Sequence, residues 1–190
     1  MRVYLAGPDV FMPNPHGRAA LLKAICARHN LIGVSPLDPL SDEPAEWAGL
    51  TEALRIARRN EAHIAGAAVL VANLTPFRGP SADAGTVFEL GYMRALGRPV
   101  FGWSNATELF ADRTRASFGG GAVDPEGMQI EDFGLSDNLM IEAAIAASGG
   151  SFTRINCPQA TRWDRLEAFE ACLSDVVKLA QRGRHAKRPG

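Results

Sequence analysis

The chain has 190 residues, of which 46% are hydrophobic and 22% charged, and its formal net charge is −1. This length suits one domain with its own hydrophobic core. The near balance of charge argues against a nucleic-acid-binding protein, which would need a clustered basic surface. Basic residues cluster at the C-terminus, where we expect a short solvated tail (183–190) after a single domain (1–182).

The cysteine content and the start of the chain favour a cytoplasmic protein. Cys26, Cys157 and Cys172 show no metal-binding or redox spacing, and an odd number of cysteines without a signal peptide fits a reducing cytosol. The chain opens directly on a strand-like segment, which leaves no room for a targeting sequence. No apolar run approaches the ~20 residues that a membrane span requires. We therefore expect no membrane partner.

Strand-like and helix-like patterns alternate along the chain, which is typical of an α/β fold with a parallel sheet. Strands are predicted at residues 2–6, 31–35, 67–72, 99–103 and 151–155. Helices are predicted at residues 16–29, 51–66, 84–96, 137–148 and 162–181. Residues 104–134 are predicted to be irregular, and long loops of this kind are usually functional or mobile.

Glu89 is a lone carboxylate in a segment of mostly apolar or small residues, 83–97. The segment follows an apolar strand and a Gly/Pro-rich loop, so its helix should begin at the carboxyl edge of the sheet, where ligands of open α/β sheets bind. Gly85 lies four residues earlier on the same helix face and leaves space for a substrate. Because a buried unpaired carboxylate is costly, we expect a general acid/base or a nucleophile. The alternative is a structural acid satisfied by Tyr4 or by backbone donors.

Four strand ends should meet at this edge. They bring together Tyr4 with the Gly7-Pro8 loop, the loop 36–38, Asn73 with Asp83, and the stretch after Trp103. Asp83 stands at the predicted N-cap of the Glu89 helix, a role worth ~1 kcal/mol. Capping and ligand binding are compatible roles for this carboxylate.

The sequence lacks the motifs of several other site types. It has no Gly-x-Ser-x-Gly nucleophile motif, no Walker loop and no Gly-x-Gly-x-x-Gly. Its four histidines are scattered without metal-ligand spacing. We therefore predict neither a metal nor a cofactor.

Four segments, in order, resemble motifs of the nucleoside 2-deoxyribosyltransferase family. They are residues 3–11 (VYLAGPDVF), 72–79 (ANLTPFRG), 83–91 (DAGTVFELG) and 133–140 (FGLSDNLM). The resemblance implies a flavodoxin-like, doubly wound, five-stranded parallel sheet flanked by helices. It also implies transfer of 2-deoxyribose between the nucleobases of 2′-deoxynucleosides, a step of nucleoside salvage.

The resemblance further implies a role for each matching residue. Glu89 would attack C1′ and hold the sugar as a covalent ester, Tyr4 would orient that carboxylate, and Asp83 would contact the base and help to move a proton. The expected substrate-binding residues are Gly7, Phe11, Asn60, Gly85, Asn138 and Met140.

Asn60 departs from the family pattern, because some members carry aspartate at this position. An amide cannot donate a carboxylic proton, so protonation of the base would fall to Asp83. Phe11 and Phe77 are candidate walls for the base, although a plain core role explains them equally well.

The resemblance implies a homodimer or a higher homo-oligomer. Asn138 and Met140 would reach the site of a neighbouring subunit and hold the hydroxyl end of the sugar. The apolar helix that follows suits a contact between identical surfaces, and its alternative role is that of a core helix.

Two other functions compete with deoxyribosyl transfer. A deoxynucleoside 5′-monophosphate N-glycosidase would use the same fold but would need a phosphate pocket near the first loop, where Gly7-Pro8-Asp9 is a poor phosphate host. A non-catalytic nucleotide-binding module would need no acid at position 89. The purine or pyrimidine range is left open by the sequence.

Overall fold

Five parallel strands form one sheet in the computed structural model, which describes residues 1–185. The strands are β1 (Arg2–Ala6), β2 (Ile32–Val34), β3 (Val69–Asn73), β4 (Val100–Ser104) and β5 (Phe152–Arg154). The helices are α1 (Pro15–Arg28), α2 (Glu52–Ala65), α3 (Ala84–Ala95), α4 (Phe110–Phe118), α5 (Leu139–Ala147) and α6 (Glu167–His185). The strand order is β2-β1-β3-β4-β5 with every neighbouring pair parallel. This is the flavodoxin-like order, so the predicted fold is confirmed.

Helices cover both faces of the sheet, and the strands are accordingly apolar on both faces. Val3 and Leu5 of β1 face a core cluster with α1 and α6, whereas Tyr4 and Ala6 face a cluster with α2, α3 and α5. Successive strand side chains point to opposite faces, which explains this division. Tyr4 therefore points toward the face that carries α3 and Glu89.

The crevice between β1 and β3 is the switch point of the fold. The chain leaves β1 for α1 on one face and leaves β3 for α3 on the other. The two connections diverge from adjacent strands, so the carboxyl ends of β1 and β3 are left open to a ligand. Tyr4 on β1 and Asp83 at the start of α3 lie on the two sides of this crevice.

The predicted irregular stretch 104–134 contains a helix, α4, and the prediction is wrong for that part. No side chain caps the N-terminus of α4, so the usual sequence signal for a helix start is missing. The Arg113 guanidinium ties the helix to other segments by donating hydrogen bonds to the carbonyl oxygens of Pro80, Glu108 and Ser136. Pro80 and Ser136 lie 33 and 23 positions from Arg113, which is why local patterns do not reveal these contacts.

The last helix begins at Glu167 instead of the predicted Arg162. The amide nitrogen Nδ2 of Asn105 donates to the carbonyl oxygens of Arg162 and Arg165, at 2.5 and 2.9 Å. These two carbonyl oxygens therefore accept hydrogen bonds from a loop side chain instead of from backbone amides of a helix.

Within residues 1–185, no helix is long and apolar enough to cross a membrane. Of the predicted basic tail, residues 186–190 lie outside the described residues.

Candidate active site

Glu89 on α3 and Tyr4 on β1 are joined by a short hydrogen bond. The Tyr4 hydroxyl donates to Oε1 of Glu89 at 2.6 Å, and the Tyr4 side chain is fully buried. Among residues 1–185, Tyr4 is the one hydrogen-bond donor to this carboxylate. Charge-assisted hydrogen bonds of this kind are the strong ones. One oxygen of Glu89 is therefore held in place, while the other, Oε2, has no donor in the described part of the chain.

The surroundings of Glu89 disfavour its charged form. Burial is the largest cause and the negative charge of Asp83 adds to it, and together they raise the pKa of Glu89 to about 7, against the opposing effect of the Tyr4 hydrogen bond. Burial and the nearby carboxylate also raise the pKa of Tyr4 well above its usual range, which keeps its hydroxyl proton available for donation. Strongly perturbed carboxyl groups are typical of functional sites.

Asp83 caps α3 with a single carboxylate oxygen. Its Oδ2 accepts from the backbone amide and the hydroxyl of Thr86, both at 2.9 Å. Its Oδ1 accepts no hydrogen bond from the described residues. A Cβ at Gly85 would lie 3.2 Å from Oδ2, so the glycine leaves room around this carboxylate. Asp83 thus caps the helix, as predicted, and keeps one oxygen available to a ligand.

The loop after β1 is organised around Asp9, whose role sequence analysis did not assign. Asp9 accepts a hydrogen bond from Arg18 Nε at 2.7 Å and another from Asn73 Nδ2 at 2.9 Å. Arg18 and Asn73 are both buried. A Cβ at Gly7 would come within 2.7 Å of the Asn73 side chain, so this position requires glycine. Gly7 lets the ends of β1 and β3 approach closely, which shapes the mouth of the crevice.

An aromatic stack stands beside that loop. The rings of Phe11 and Phe77 are stacked at 5.5 Å between centroids, and Trp163 meets the edge of Phe77 at 5.9 Å. Phe11 is 55% exposed despite this stacking. Such an exposed aromatic surface at the carboxyl edge is suited to packing against a planar ring. The core role weighed for Phe11 is wrong, because its ring is largely exposed.

Asn60 lies on α2, which packs against α3. Its side-chain oxygen Oδ1 is buried and has no hydrogen-bond partner among the described residues. An unpaired buried acceptor costs free energy, and a water molecule or a ligand would satisfy it. No hydrogen bond joins Asn60 to the Tyr4–Glu89 pair within residues 1–185.

Asn138 and Met140 stand at the start of α5, apart from that pair. Asn138 is the N-cap of α5: its Oδ1 accepts from the amide of Met140 at 3.0 Å, and its Nδ2 donates to Glu131 at 2.8 Å. Met140 is 69% exposed. One N–H of the Asn138 amide is thus engaged within its own chain and the other has no acceptor among the described residues, whereas the Met140 side chain projects into solvent. Neither contacts Glu89 of the same chain through a hydrogen bond.

Asp137 links α5 to the loop that leads into α3, and it is a further residue that sequence analysis missed. It is buried, and its carboxylate accepts from the Ser81 hydroxyl at 2.5 Å and from the Ala82 amide at 3.0 Å. These contacts fix the two residues that precede Asp83. Its position beside Asn138 in the segment 133–140 could have drawn attention to Asp137. Its partners could not be inferred, because they lie more than fifty positions away in the sequence.

The described residues contain no group of three or more His, Cys, Asp or Glu side chains arranged to hold a metal ion. Cys26, Cys157 and Cys172 are buried and free. The chemistry that the described site offers is that of two carboxylates, one held by a tyrosine and one at a helix N-terminus.

Replacing Glu89 by glutamine tests the electrostatics of the site without an activity assay. A raised carboxyl pKa contributes stability that is complete below about pH 4.5 and is lost as the pH rises through about 7. Glutamine cannot ionise, so Glu89→Gln should not lose this stability. The difference in the free energy of unfolding, variant minus wild type, should therefore increase by about 2–3 kcal/mol from pH 5 to pH 8. Urea unfolding at the two pH values measures this. The exposed Glu126→Gln serves as the control, and an equal change in both variants would contradict the account.

Known proteins resemble this chain in both sequence and fold. The family model described as nucleoside 2-deoxyribosyltransferase matches residues 3–140. An uncharacterized protein of Schizosaccharomyces pombe is 29% identical over 192 residues, covering 92% of this chain and 88% of that protein. A solved structure, a 2-desoxiribosyltransferase from Leishmania mexicana, superposes with a TM-score of 0.67 at 27% identity, covering 93% of this chain and 97% of that one. The chain belongs to the nucleoside 2-deoxyribosyltransferase family.

Proposed function

We propose that this protein transfers 2-deoxyribose from a 2′-deoxynucleoside to a free nucleobase through a covalent ester on Glu89. The observation that carries the proposal is the Tyr4–Glu89 hydrogen bond, which holds one carboxylate oxygen and leaves the other free to react. The likeness to the Leishmania mexicana structure, which is described as a 2-desoxiribosyltransferase, supports the same activity.

In the first step, Oε2 of Glu89 attacks C1′ of the bound nucleoside. In the reactive state Glu89 is ionised and Asp83 carries the proton; the electrons of the N-glycosidic bond leave with the base, and Asp83 gives that proton to the departing nitrogen and becomes a carboxylate. The sugar passes through an oxocarbenium-like state and is trapped as an ester, as in retaining glycosidases. In the second step, an incoming base attacks C1′ from its original face and returns its proton to Asp83. Two inversions give net retention of configuration.

Tyr4 serves as a positioning residue for the nucleophile. Its hydroxyl fixes the orientation of the carboxylate, so that the free oxygen points along one direction in the crevice. Fixing a nucleophile in this way lowers the activation barrier by several kcal/mol. The pKa of Glu89, raised to about 7, leaves a substantial ionised fraction at neutral pH, and that fraction is the one able to attack.

Asp83 and Asn60 have complementary roles toward the base. The free oxygen Oδ1 of Asp83 is available for proton exchange, while Oδ2 remains engaged in the helix cap. The buried, unpartnered Oδ1 of Asn60 is suited to accept a hydrogen bond from an N–H group of the base. One residue moves the proton and the other orients the base, which is consistent with an amide at position 60.

Hydrolysis of deoxynucleoside 5′-monophosphates fits the site less well. That activity would need an anion pocket at the first loop, where the acidic side chain of Asp9 lies. Its carboxylate binds Arg18 and Asn73, so a phosphate would have to compete with Asp9 for the Arg18 guanidinium, whose Nη2 has no hydrogen-bond partner among the described residues. A phosphate placed there would meet a negative charge. Water remains a slow alternative acceptor when no free base is present.

Assembly into a homodimer or a higher homo-oligomer is part of the proposal. Phe88, Phe133 and Met140 are 62, 68 and 69% exposed, respectively. Phe88 adjoins Glu89 in α3, and α3 packs against α5, which carries Met140. Large exposed apolar side chains favour a protein contact. We propose that Met140 and Asn138 complete the sugar pocket of a neighbouring subunit.

Such an enzyme would act in nucleoside salvage, and its three free cysteines fit a reducing cytoplasm.

Activity can be tested by chromatography after incubation with 2′-deoxyinosine or thymidine plus free adenine or cytosine. A new deoxynucleoside should form, and the matching ribonucleosides should give none. Glu89→Ala should lower the rate by about 10³-fold or more, because it removes the nucleophile. Glu126→Gln should retain full activity. Release of free base without exchange would identify a hydrolase, and wild-type turnover by Glu89→Ala would overturn the nucleophile assignment.

Assembly can be tested by light scattering during size-exclusion chromatography. Wild type should be at least dimeric, and Met140→Glu should weaken the assembly and the transfer reaction together, because it places a charge in an apolar contact. Met128→Glu is the matched control, since Met128 is 64% exposed but lies in the turn between the bridged residues Val123 and Gln129, and on neither α3 nor α5. A monomeric wild type with full transfer activity would refute the shared site.

A further inference from the structure

A second cavity lies beside the crevice, also at the carboxyl edge of the sheet. Its volume is about 570 Å³, which is within the range of small-molecule sites. It is lined by the loop after β3 (76–80), by α4, and by the segment after β5 (159–162). Tyr4, Asp83 and Glu89 do not line it. The cavity is therefore separate from the site of the proposed reaction.

Two arginines of this cavity lack carboxylate partners. Arg78 and Arg162 both line it, and neither forms a salt bridge with the described residues. The Nε of Arg162 is buried and has no hydrogen-bond partner among them. A buried N–H of a guanidinium that donates to nothing is costly. An anion or a water molecule would satisfy it.

The other charged residues of the lining are engaged elsewhere, with one exception. Arg113 donates its hydrogen bonds to backbone carbonyls and lies 3.7 Å from Asp137. Asp112 pairs with Arg115 at 3.3 Å. Glu108 is the remaining carboxylate of the lining. The charged groups still available to a ligand are thus the guanidinium groups of Arg78 and Arg162 and the carboxylate of Glu108. Together they carry a net positive charge.

Arg78 is held in an orientation that suits anion binding. Its guanidinium carbon lies 5.0 Å from the centroid of the Phe11 ring and 4.6 Å from that of Phe77. Its backbone has a φ of 54°, which non-glycine residues seldom adopt. Stacking uses the flat faces of a guanidinium and leaves the N–H groups at its edge free. No hydrogen bond from Arg78 to the described residues occupies that edge.

We infer that this cavity binds a phosphate group through the guanidinium groups of Arg78 and Arg162. Gln159 and Ser117, which also line it, offer neutral hydrogen-bond donors. Arginine is suited to phosphate because its planar N–H groups match the spacing of the phosphate oxygens. Inorganic phosphate and the 5′-phosphate of a nucleotide share this chemistry.

Binding there would be coupled to the reaction site. Arg78 stacks on Phe11, which stands at the mouth of the crevice, and its loop leads directly to Ser81, Ala82 and Asp83. An anion that reoriented Arg78 would change the packing of both the aromatic stack and this loop. The inference goes beyond the proposed deoxyribosyl transfer and does not depend on it.

Isothermal titration calorimetry with inorganic phosphate tests the inference. Wild type should bind it, and Arg162→Gln and Arg78→Gln should each weaken binding by about tenfold or more. The matched control is Arg165→Gln, because Arg165 is exposed, pairs with Glu167 and does not line the cavity. Thermal unfolding of each variant checks that the fold is retained. Absence of phosphate binding by wild type, or equal weakening in the control, would overturn the inference.

The Glu89→Gln variant separates this cavity from the reaction site. It should bind phosphate as wild type does, whereas loss of binding would place the anion at Glu89 and refute the second site.

Titration with 2′-deoxyadenosine 5′-monophosphate identifies the source of the phosphate. Tighter binding than that of inorganic phosphate favours a nucleotide, and equal binding favours the free anion. Arg162→Gln should leave the affinity for 2′-deoxyadenosine unchanged. An equal loss for that unphosphorylated nucleoside would show one continuous pocket and contradict the proposal.

Discussion

The hydrogen bond between Tyr4 and Glu89 is the interaction on which the site depends. It joins Tyr4, in the buried part of β1, to Glu89, in the second turn of α3. The two residues are 85 positions apart in the sequence. It exists because the strand order places β1 beside β3, and because α3 packs on the face toward which Tyr4 points. A change in the register of β1 by one residue would turn Tyr4 to the opposite face and leave the carboxylate without a donor.

Two effects oppose each other at Glu89, and their balance explains its chemistry. The hydrogen bond from Tyr4 stabilises the carboxylate, whereas burial and the charge of Asp83 favour the neutral acid. Burial dominates, since the pKa rises from 4.5 to about 7. This shift corresponds to about 3 kcal/mol that folding loses when Glu89 is ionised at high pH. A protein that retained this acid only for stability would gain from a neutral side chain, so the cost is consistent with a chemical role.

The parts of the site that follow local patterns could be predicted from the sequence. The apolar strands, the glycine-bounded helix and the lone acid at position 89 place Tyr4, Asp83 and Glu89 at one sheet edge. Polar contacts between distant segments could not be predicted in this way. Asn105 delays the start of α6, and Arg113 binds the carbonyls around α4. Such contacts leave no periodic signal, because each involves single residues that only the folded chain brings together.

Detection of the glycosyl ester tests the central claim most directly. The protein is incubated with 2′-deoxyinosine in the absence of an acceptor base, quenched with acid, and measured by intact and peptide mass spectrometry. The account predicts a mass gain of one deoxyribosyl group on the peptide that contains Glu89, and none in Glu89→Gln. Base exchange without any adduct, or an adduct on a different carboxylate such as Asp83, would contradict it.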